Sequence, residues 1–259
     1  MNDDAVLLYN RSAWDEKVRQ GNVWTQPVSA ERVARARQGE FEVLLTPVKP
    51  VPADWLGDVR GRRLLCLACG GGQQGPLFAA AGADVTVFDN SPAQLAQDEA
   101  VAARDGLYLR TEQGDMRDLS RFEEGSFDLI FHPVSNCFVD GIERVWRECF
   151  RVLKPGGLLL SGFANPLIYI FDFREWDEKG RLSVRYKIPY ADTEQLPPED
   201  LERRRNAHEP LEFGHSLEEQ IGGLLKAGFL LSGFYEDSAG GDLLDPYIDT
   251  FIATRALKP

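Results

Sequence analysis

The sequence predicts an α/β fold: a mostly parallel sheet with helices on both faces. Three observations carry this. From Arg63 onward, short apolar runs alternate with helical segments, the signature of right-handed βαβ units. The runs are continuously apolar rather than alternating, as strands covered on both faces require. The first run, in "LLCLACGGGQQG" (Leu64 to Gly75), passes straight into a glycine turn and then a helix.

The elements follow in order. Residues 1–61 are mixed, with a short amphipathic helix and loop in "YNRSAWDEKVRQGNVW" and an irregular, proline-rich connector in "TPVKPVPADWLG". "LLCLA" (64–68) is a buried strand, and "QQGPLFAAAG" is a helix stopped by Gly82. "DVTVF" (84–88) is the second strand. Ser91 caps and Pro92 opens a helix running to about Arg104. "LYLRTEQGD" (107–115) holds the third strand and "FDLIFH" (127–132) is the fourth. Ile142, Val145, Trp146, Cys149 and Leu153 recur at helical spacing. "LKPGG" breaks that helix, and "GLLLSGF" (157–163) is the fifth strand.

Residues 164–210 interrupt the rhythm. Their β-type fragments, aromatics and charged tail mark an insertion, and Phe171, Phe173, Trp176, Tyr186 and Tyr190 suit either a cap over an apolar substrate or a small satellite core. "SLEEQIGGLLKAG" (216–228) is a helix with Ser216 and Glu219 as a capping box. "FLLSGFYED" and "YIDTFIATRA" close the chain as the sixth and seventh strands.

Bulk properties narrow the function. A chain of 259 residues, 43% hydrophobic, is large enough to bury a sizeable core. The net charge of −12 works against polyanionic partners, so no nucleic acid is expected. There is no run of about 18 apolar residues, so no membrane span is expected, and the first residues lack the layout of a secretory signal. Four cysteines in a chain this long are not a disulfide framework, which points to the cytoplasm.

The chemistry sits where the strands end. Gly70, Gly72 and Gly75 have G-x-G-x-x-G spacing, and glycines let a ligand press against the backbone at a helix start. Asp89 follows about 20 residues later, where a carboxylate accepts from ribose hydroxyls. After the third strand, Asp115 and Met116 suit an adenine amino group and ring face. After the fourth come His132 and Pro133, where a reacting group is expected. A nicotinamide site and an S-adenosylmethionine (SAM) site both fit these residues. Cys66 and Cys69 have C-x-x-C spacing, but side chains three apart on a strand start on opposite faces, so no metal is expected.

Five segments in sequence, "LLCLACGGGQQG", "VTVFDNSPAQLAQ", "EQGDMRDLS", "GSFDLIFH" and "RVLKPGGLLLSGF", resemble the class I SAM-dependent methyltransferases, especially the small-molecule branch typified by quinone-biosynthesis enzymes. The resemblance covers about Arg62 to Phe163 and continues through the 216–228 helix and the last strand. It implies a Rossmann-like, doubly wound, seven-stranded sheet whose last strand is antiparallel. The chain is expected to divide into a lid (1–61), a SAM-binding core (62–163), an inserted cap (164–210) and a closing helix and strands (211–259), with 1–61 and 164–210 outside the resemblance.

Residue by residue, the resemblance implies that Ala68, Cys69 and Gly70, with Gly72 in the same turn, line the methionine part of SAM. Asp89 holds the ribose and Asn90 lies beside the adenine, which Asp115 and Met116 contact. His132 and Pro133 pass the sulfonium and the substrate, and Tyr9 and Trp14 belong to a covering N-terminal segment. His132 and His215 are the candidate general bases. The expected reaction is methyl transfer to an O, N or C nucleophile of a small molecule by a monomer or homodimer. An NAD(P)-dependent oxidoreductase and a non-catalytic SAM-binding regulatory module remain alternatives. One departure stands out: the family usually carries an acid at the position of Cys66.

Overall fold

The computed structural model describes residues 3–259. Its centre is a seven-stranded sheet in the order β3-β2-β1-β4-β5-β9-β8. The strands are β1 (Arg63–Leu67), β2 (Asp84–Asp89), β3 (Arg110–Gln113), β4 (Phe127–His132), β5 (Leu153–Ala164), β8 (Leu230–Asp237) and β9 (Phe251–Leu257). β1 to β5 pair in parallel, and β9 runs antiparallel to both β5 and β8. The chain travels outward from β1 to β3, then returns to lay β4 against the other side of β1. That reversal leaves a crevice at the carboxyl ends of β1 and β4, where open α/β sheets bind ligands.

Alternation along the strands divides the core. Leu64, Cys66, Val85, Val87, Leu129, Phe131 and Leu160 face one layer, with Phe78 of α4 (Gly75–Ala80) and the N-terminal segment. Leu65, Leu67, Phe88, Ile130 and Leu159 face the other, against Trp146 and Cys149 of α6 (Glu143–Val152). Both faces are buried, which is why these strands read as continuous apolar runs. On the same face as α4 lies α5 (Pro92–Asp105), whose Ser91 cap accepts from the Gln94 N–H at 3.1 Å.

The N-terminal segment forms α1 (Asp3–Arg19), α2 (Ala30–Ala36) and α3 (Ala53–Leu56). It is bound to the sheet's carboxyl edge. The Val28 N–H donates to the Gly72 carbonyl, and the Val134 N–H donates to the Leu45 carbonyl. Leu45 crosses directly over β5, where a Cβ built on Gly162 would lie 2.0 Å from the Leu45 oxygen.

Two expectations need correcting. β5 starts at Leu153, immediately after α6, so "LKPGG" belongs to the strand rather than to a separate turn. The 164–210 region is mainly helical, not β-type: α7 (Phe173–Lys179), α8 (Asp192–Gln195) and α9 (Pro198–Asn206) surround a two-residue ladder of β6 (Tyr190–Ala191) with β7 (Phe213–Gly214). Its aromatics pack chiefly on one another, with Phe173 on Tyr186 at 5.7 Å and Tyr169 on Tyr190 at 5.5 Å between ring centroids. The last helix opens as a π turn (Glu218–Gly222) and continues as α10 (Gly223–Ala227). Its capping box is reciprocal: the Ser216 N–H donates to Glu219 at 2.8 Å and the Glu219 N–H to the Ser216 hydroxyl at 3.2 Å.

The crossing at Gly162 is directly testable. Gly162→Ala forces a methyl group into a backbone carbonyl that cannot rotate away. The expected loss is at least about 1–3 kcal/mol of stability, read as a lower urea midpoint at unchanged slope.

Candidate functional site

A cavity of about 790 Å³ opens along the carboxyl edge of the sheet. That is within the roughly 300–1,000 Å³ range of small-ligand sites. At one end it is lined by Asp89 and Asn90 after β2 and by Gly114, Asp115 and Met116 after β3. The middle is formed by Ala68, Cys69 and Gly70 after β1 and by Pro133 to Ser135 after β4. The far end is formed by Ala164, Ile168, Tyr169, Glu212 and Phe251, beyond β5 and β9. From β2 to β5 is three strand spacings, about 14 Å, so the cavity has room for two groups side by side.

The glycine turn is held by two acidic side chains, Asp89 and Asp98. Ala68 has φ 47°, a left-handed conformation that strains a residue with a Cβ by about 1–2 kcal/mol. The turn it starts exposes three amide N–H groups. Gly70 donates to Asp89 Oδ2 at 2.9 Å, and Gly71 and Gly72 each donate to Asp98 Oδ2 at 3.0 Å. Asp89 Oδ1 accepts from the Ser91 N–H at 2.9 Å. Burial raises the Asp89 pKa against the pull of these amides.

Asp98, in the second turn of α5, is fully buried, and its Oδ1 has no hydrogen-bond partner among the described residues. Burial pushes its pKa up to about 8, and the Gly72 and Gly71 amides do not offset this. A Cβ on Gly75 would sit 3.1 Å from Asp98 Oδ1 and 3.9 Å from Cys66 Sγ. Asp98 thus puts a carboxyl group beside the residue where the resembled family carries one.

The cysteines also differ from expectation. Cys66 and Cys69 do not point apart. The strand ends at Leu67, the chain turns at Ala68, and both cysteines lie in the same buried apolar layer, where Cys66 acts on the Cys69 thiol. That contact and burial push the Cys69 thiol well up, so it lines the cavity as a neutral group. Among the described residues, no three His, Cys, Asp or Glu side chains converge as a metal site.

Of the residues named from sequence, Ala68, Cys69, Gly70, Asp89, Asn90, Asp115, Met116, Pro133 and Trp14 line the cavity. Four do not. Gly72 is behind the turn, its N–H on Asp98 and its carbonyl on Val28. Tyr9 points away, donating to the Glu209 carbonyl at 2.9 Å. His132 is fully buried on the α6 side of β4, edge-on to Trp146. Its Nδ1 is 2.9 Å from the Leu67 carbonyl and its Nε2 2.6 Å from Asn136 Oδ1. His215 is buried with Nε2 2.9 Å from the Val139 carbonyl. Burial lowers the pKa of both histidines. They fasten the loop after β4 and do not reach the cavity, so neither is placed to act as its base.

Other expected residues carry partners. Both oxygens of Asp115 bond Arg117, with Oδ2 2.7 Å from a guanidinium nitrogen. Asn90 donates to the Leu7 carbonyl at 2.8 Å, and Asp15 takes the Ser91 hydroxyl at 2.6 Å, so α1 is tied across this end. Asn10 bonds the Phe138 carbonyl and both backbone groups of Leu211, tying α1 to the other end. Sequence reasoning missed Asp98, Gln94, Tyr169 and Glu212. Asp98 had a signal: with Leu95 and Val101 it lies at spacings of three on α5, an acid inside the apolar stripe.

The Asp98 environment gives a pH test. The carboxyl group rises from 3.8 in an unfolded chain to about 8 in the fold. Between these values the unfolded chain has released a proton that the fold keeps, so stability falls as pH rises across that window. Asp98→Asn keeps an oxygen for the two amides and cannot ionise. Urea unfolding across about pH 4 to 8 is expected to show a flatter stability profile than wild type. An unchanged profile shows that Asp98 is not the source.

Comparison with known proteins bears on this cavity. Residues 65–161 match a family model described as a methyltransferase domain. The chain is 51% identical to "Uncharacterized methyltransferase YbaJ" of Bacillus subtilis, over 98% of this chain and 99% of that one. It is 29% identical to a ubiquinone biosynthesis O-methyltransferase of Pseudomonas syringae, over 52% of this chain and 60% of the other. A SAM-dependent methyltransferase structure from Mesorhizobium loti superposes with TM-score 0.59 at 20% identity, covering 79% of this chain and 94% of that one.

Proposed function

The chain belongs to the SAM-dependent methyltransferases, and from that premise we propose that it methylates an O, N or C nucleophile of a small-molecule acceptor bound beside the cofactor in the 790 Å³ cavity. The observation that carries this is the single cavity running from Asp89 and Met116, past the glycine turn, to Tyr169 and Phe251. The nucleoside half belongs at the β2–β3 end, and the β5 end is left for the acceptor. Family membership removes the nicotinamide alternative, and room at the β5 end argues against a purely regulatory module.

The residues fit the cofactor. Asp89 uses one lone pair on each oxygen for protein amides, and a carboxylate oxygen has a second to offer a ribose hydroxyl. Gln94 Oε1 lies buried in the cavity wall with no hydrogen-bond partner among the described residues, an acceptor for the cofactor's donor groups. Met116 offers an apolar face to the adenine. The turn's own packing requires Gly70, since a Cβ there would meet Gln94 at 2.7 Å and Asp89 at 3.1 Å. Asp98 anchors the Gly71 and Gly72 amides from behind the turn.

When bound, SAM supplies an electrophilic methyl group on a sulfonium. The chain's task is to align the acceptor and keep water out. Trp14, edge-on to Phe138 at 5.1 Å, and the strapped α1 cover the cavity. Fixed alignment of this kind supplies roughly 7–11 kcal/mol of a barrier.

Calorimetric titration with S-adenosylhomocysteine (SAH) tests the cofactor end. Wild type is expected to bind it. Asp89→Ala loses hydrogen bonds to a charged group, about 1.5–3 kcal/mol, or roughly 10–150-fold in Kd. A wild-type protein that does not bind SAH overturns the reading.

A further inference from the structure

The β5 end of the cavity contains an acid–base cluster that the family resemblance does not describe. Tyr169, on the turn Pro166–Ile170 after β5, is 2% exposed and donates its hydroxyl to Glu212 Oε2 at 2.9 Å. Its ring rests over Gly214, where a Cβ would lie 2.6 Å from the ring, so the residue two beyond Glu212 shapes this contact. Glu212 Oε1 accepts from Arg204 of α9 at 3.0 Å. Arg204 also pairs with Asp192 at 3.2 Å, and Asp192 accepts from Tyr190 at 2.7 Å and from the Glu212 N–H at 2.8 Å. The Cys137 thiol, from the loop after β4, packs with Tyr169 in the same buried cluster.

Three features make this more than a structural knot. Tyr169 and Glu212 both line the cavity, and the Glu212 side chain is 31% exposed while its neighbours are more deeply buried. Each Glu212 oxygen has one partner named above, and a carboxylate oxygen accepts two. The charges do not balance: one guanidinium faces two acidic side chains, Glu212 and Asp192, and burial raises Asp192 only to about 6, still below neutral pH. Burial also pushes the Tyr169 hydroxyl well above the ordinary phenol value, so it remains a donor and Glu212 the acceptor. Among the described residues lining the cavity, the one cation is Arg32, on α2 beside the glycine-turn side.

Resting on the methyl-transfer reading above, we propose that Glu212, oriented by Tyr169 and Arg204, faces the methyl acceptor and takes its proton, and that the acceptor is an uncharged molecule presenting an O–H or N–H to this wall. In the step, the acceptor's heteroatom uses its lone pair to form the new C–O or C–N bond. The bond from the methyl carbon to sulfur breaks with its electron pair going to sulfur. The proton on the heteroatom passes to Glu212. The remainder of the acceptor lies against Val134, Phe138, Ile168 and Phe251, an apolar wall suited to an aromatic or aliphatic body. An acceptor with a carboxylate or phosphate at its reacting end is repelled by the net negative charge.

The test uses the full chain saturated with SAH and 4-nitrophenol as the probe, because its phenol and phenolate forms have different colours. A carboxylate that accepts the probe's hydrogen bond disfavours the phenolate. The ionisation midpoint of the bound probe is expected to lie about one pH unit above that of free probe. Glu212→Gln should return the midpoint to the free value, Glu212→Asp should give a value between, and SAH affinity should stay within about threefold of wild type, as for a site remote from the cofactor. The wild-type midpoint is decisive even if a variant fails to fold. A bound probe that ionises as readily as free probe, a Glu212→Gln midpoint equal to wild type, or no probe binding to the SAH complex overturns the assignment. Failure of wild type to bind SAH at all overturns the methyl-transfer reading instead.

Discussion

Everything at the carboxyl edge depends on three backbone amides. Gly70, Gly71 and Gly72 follow a strained Ala68, and left unpaired in a buried turn each N–H would cost about 1–3 kcal/mol. Two acidic side chains meet that need from different elements: Asp89 from the end of β2 and Asp98 from α5. The arrangement sets the distance between β1 and α5. It also places Asp89 at the mouth of the crevice and leaves the adjoining wall, Cys69 and Gln94, uncharged. The cavity takes its shape from this pinned turn.

The covering segment depends on the same edge. Polar side chains tie α1 to both ends of the cavity: Asp15 and Arg11 to the β2 end, Asn10 and Lys17 to residues 209–211. Buried hydrogen bonds are directional, so they fix the register of a helix in a way that apolar contact does not. One helix therefore bridges the cofactor end and the acid–base cluster, and any ligand that enters the cavity meets it.

Much of the fold was legible in the sequence. Strands buried on both faces must be apolar throughout, and the helices of the central core carry caps and stripes that write themselves in Ser91, Pro92, Ser216 and Glu219. The 164–210 helices were not legible because they are short and polar: "PPEDLERRR" forms α9 around charged contacts rather than an apolar stripe. Within the site, position along a strand was readable and the face was not used. His132 shares its face with Ile130, which packs toward α6, and that alternation alone sends the imidazole away from the crevice. Tyr169 and Glu212 are 43 residues apart and belong to no motif, so only the folded chain brings them together.

The glycine segment also has a consequence for how such motifs are compared and transplanted. Its requirements are hydrogen bonds owed, not letters at fixed offsets, and here one debt is met from a helix 27 residues downstream of Gly71. A pattern keyed to letters on β1 does not register Asp98, although the Gly71 and Gly72 amides depend on it. By the same logic, "LLCLACGGGQQG" is not a portable cassette: moved to another scaffold without α5, it would carry its strained turn and leave its anchor behind.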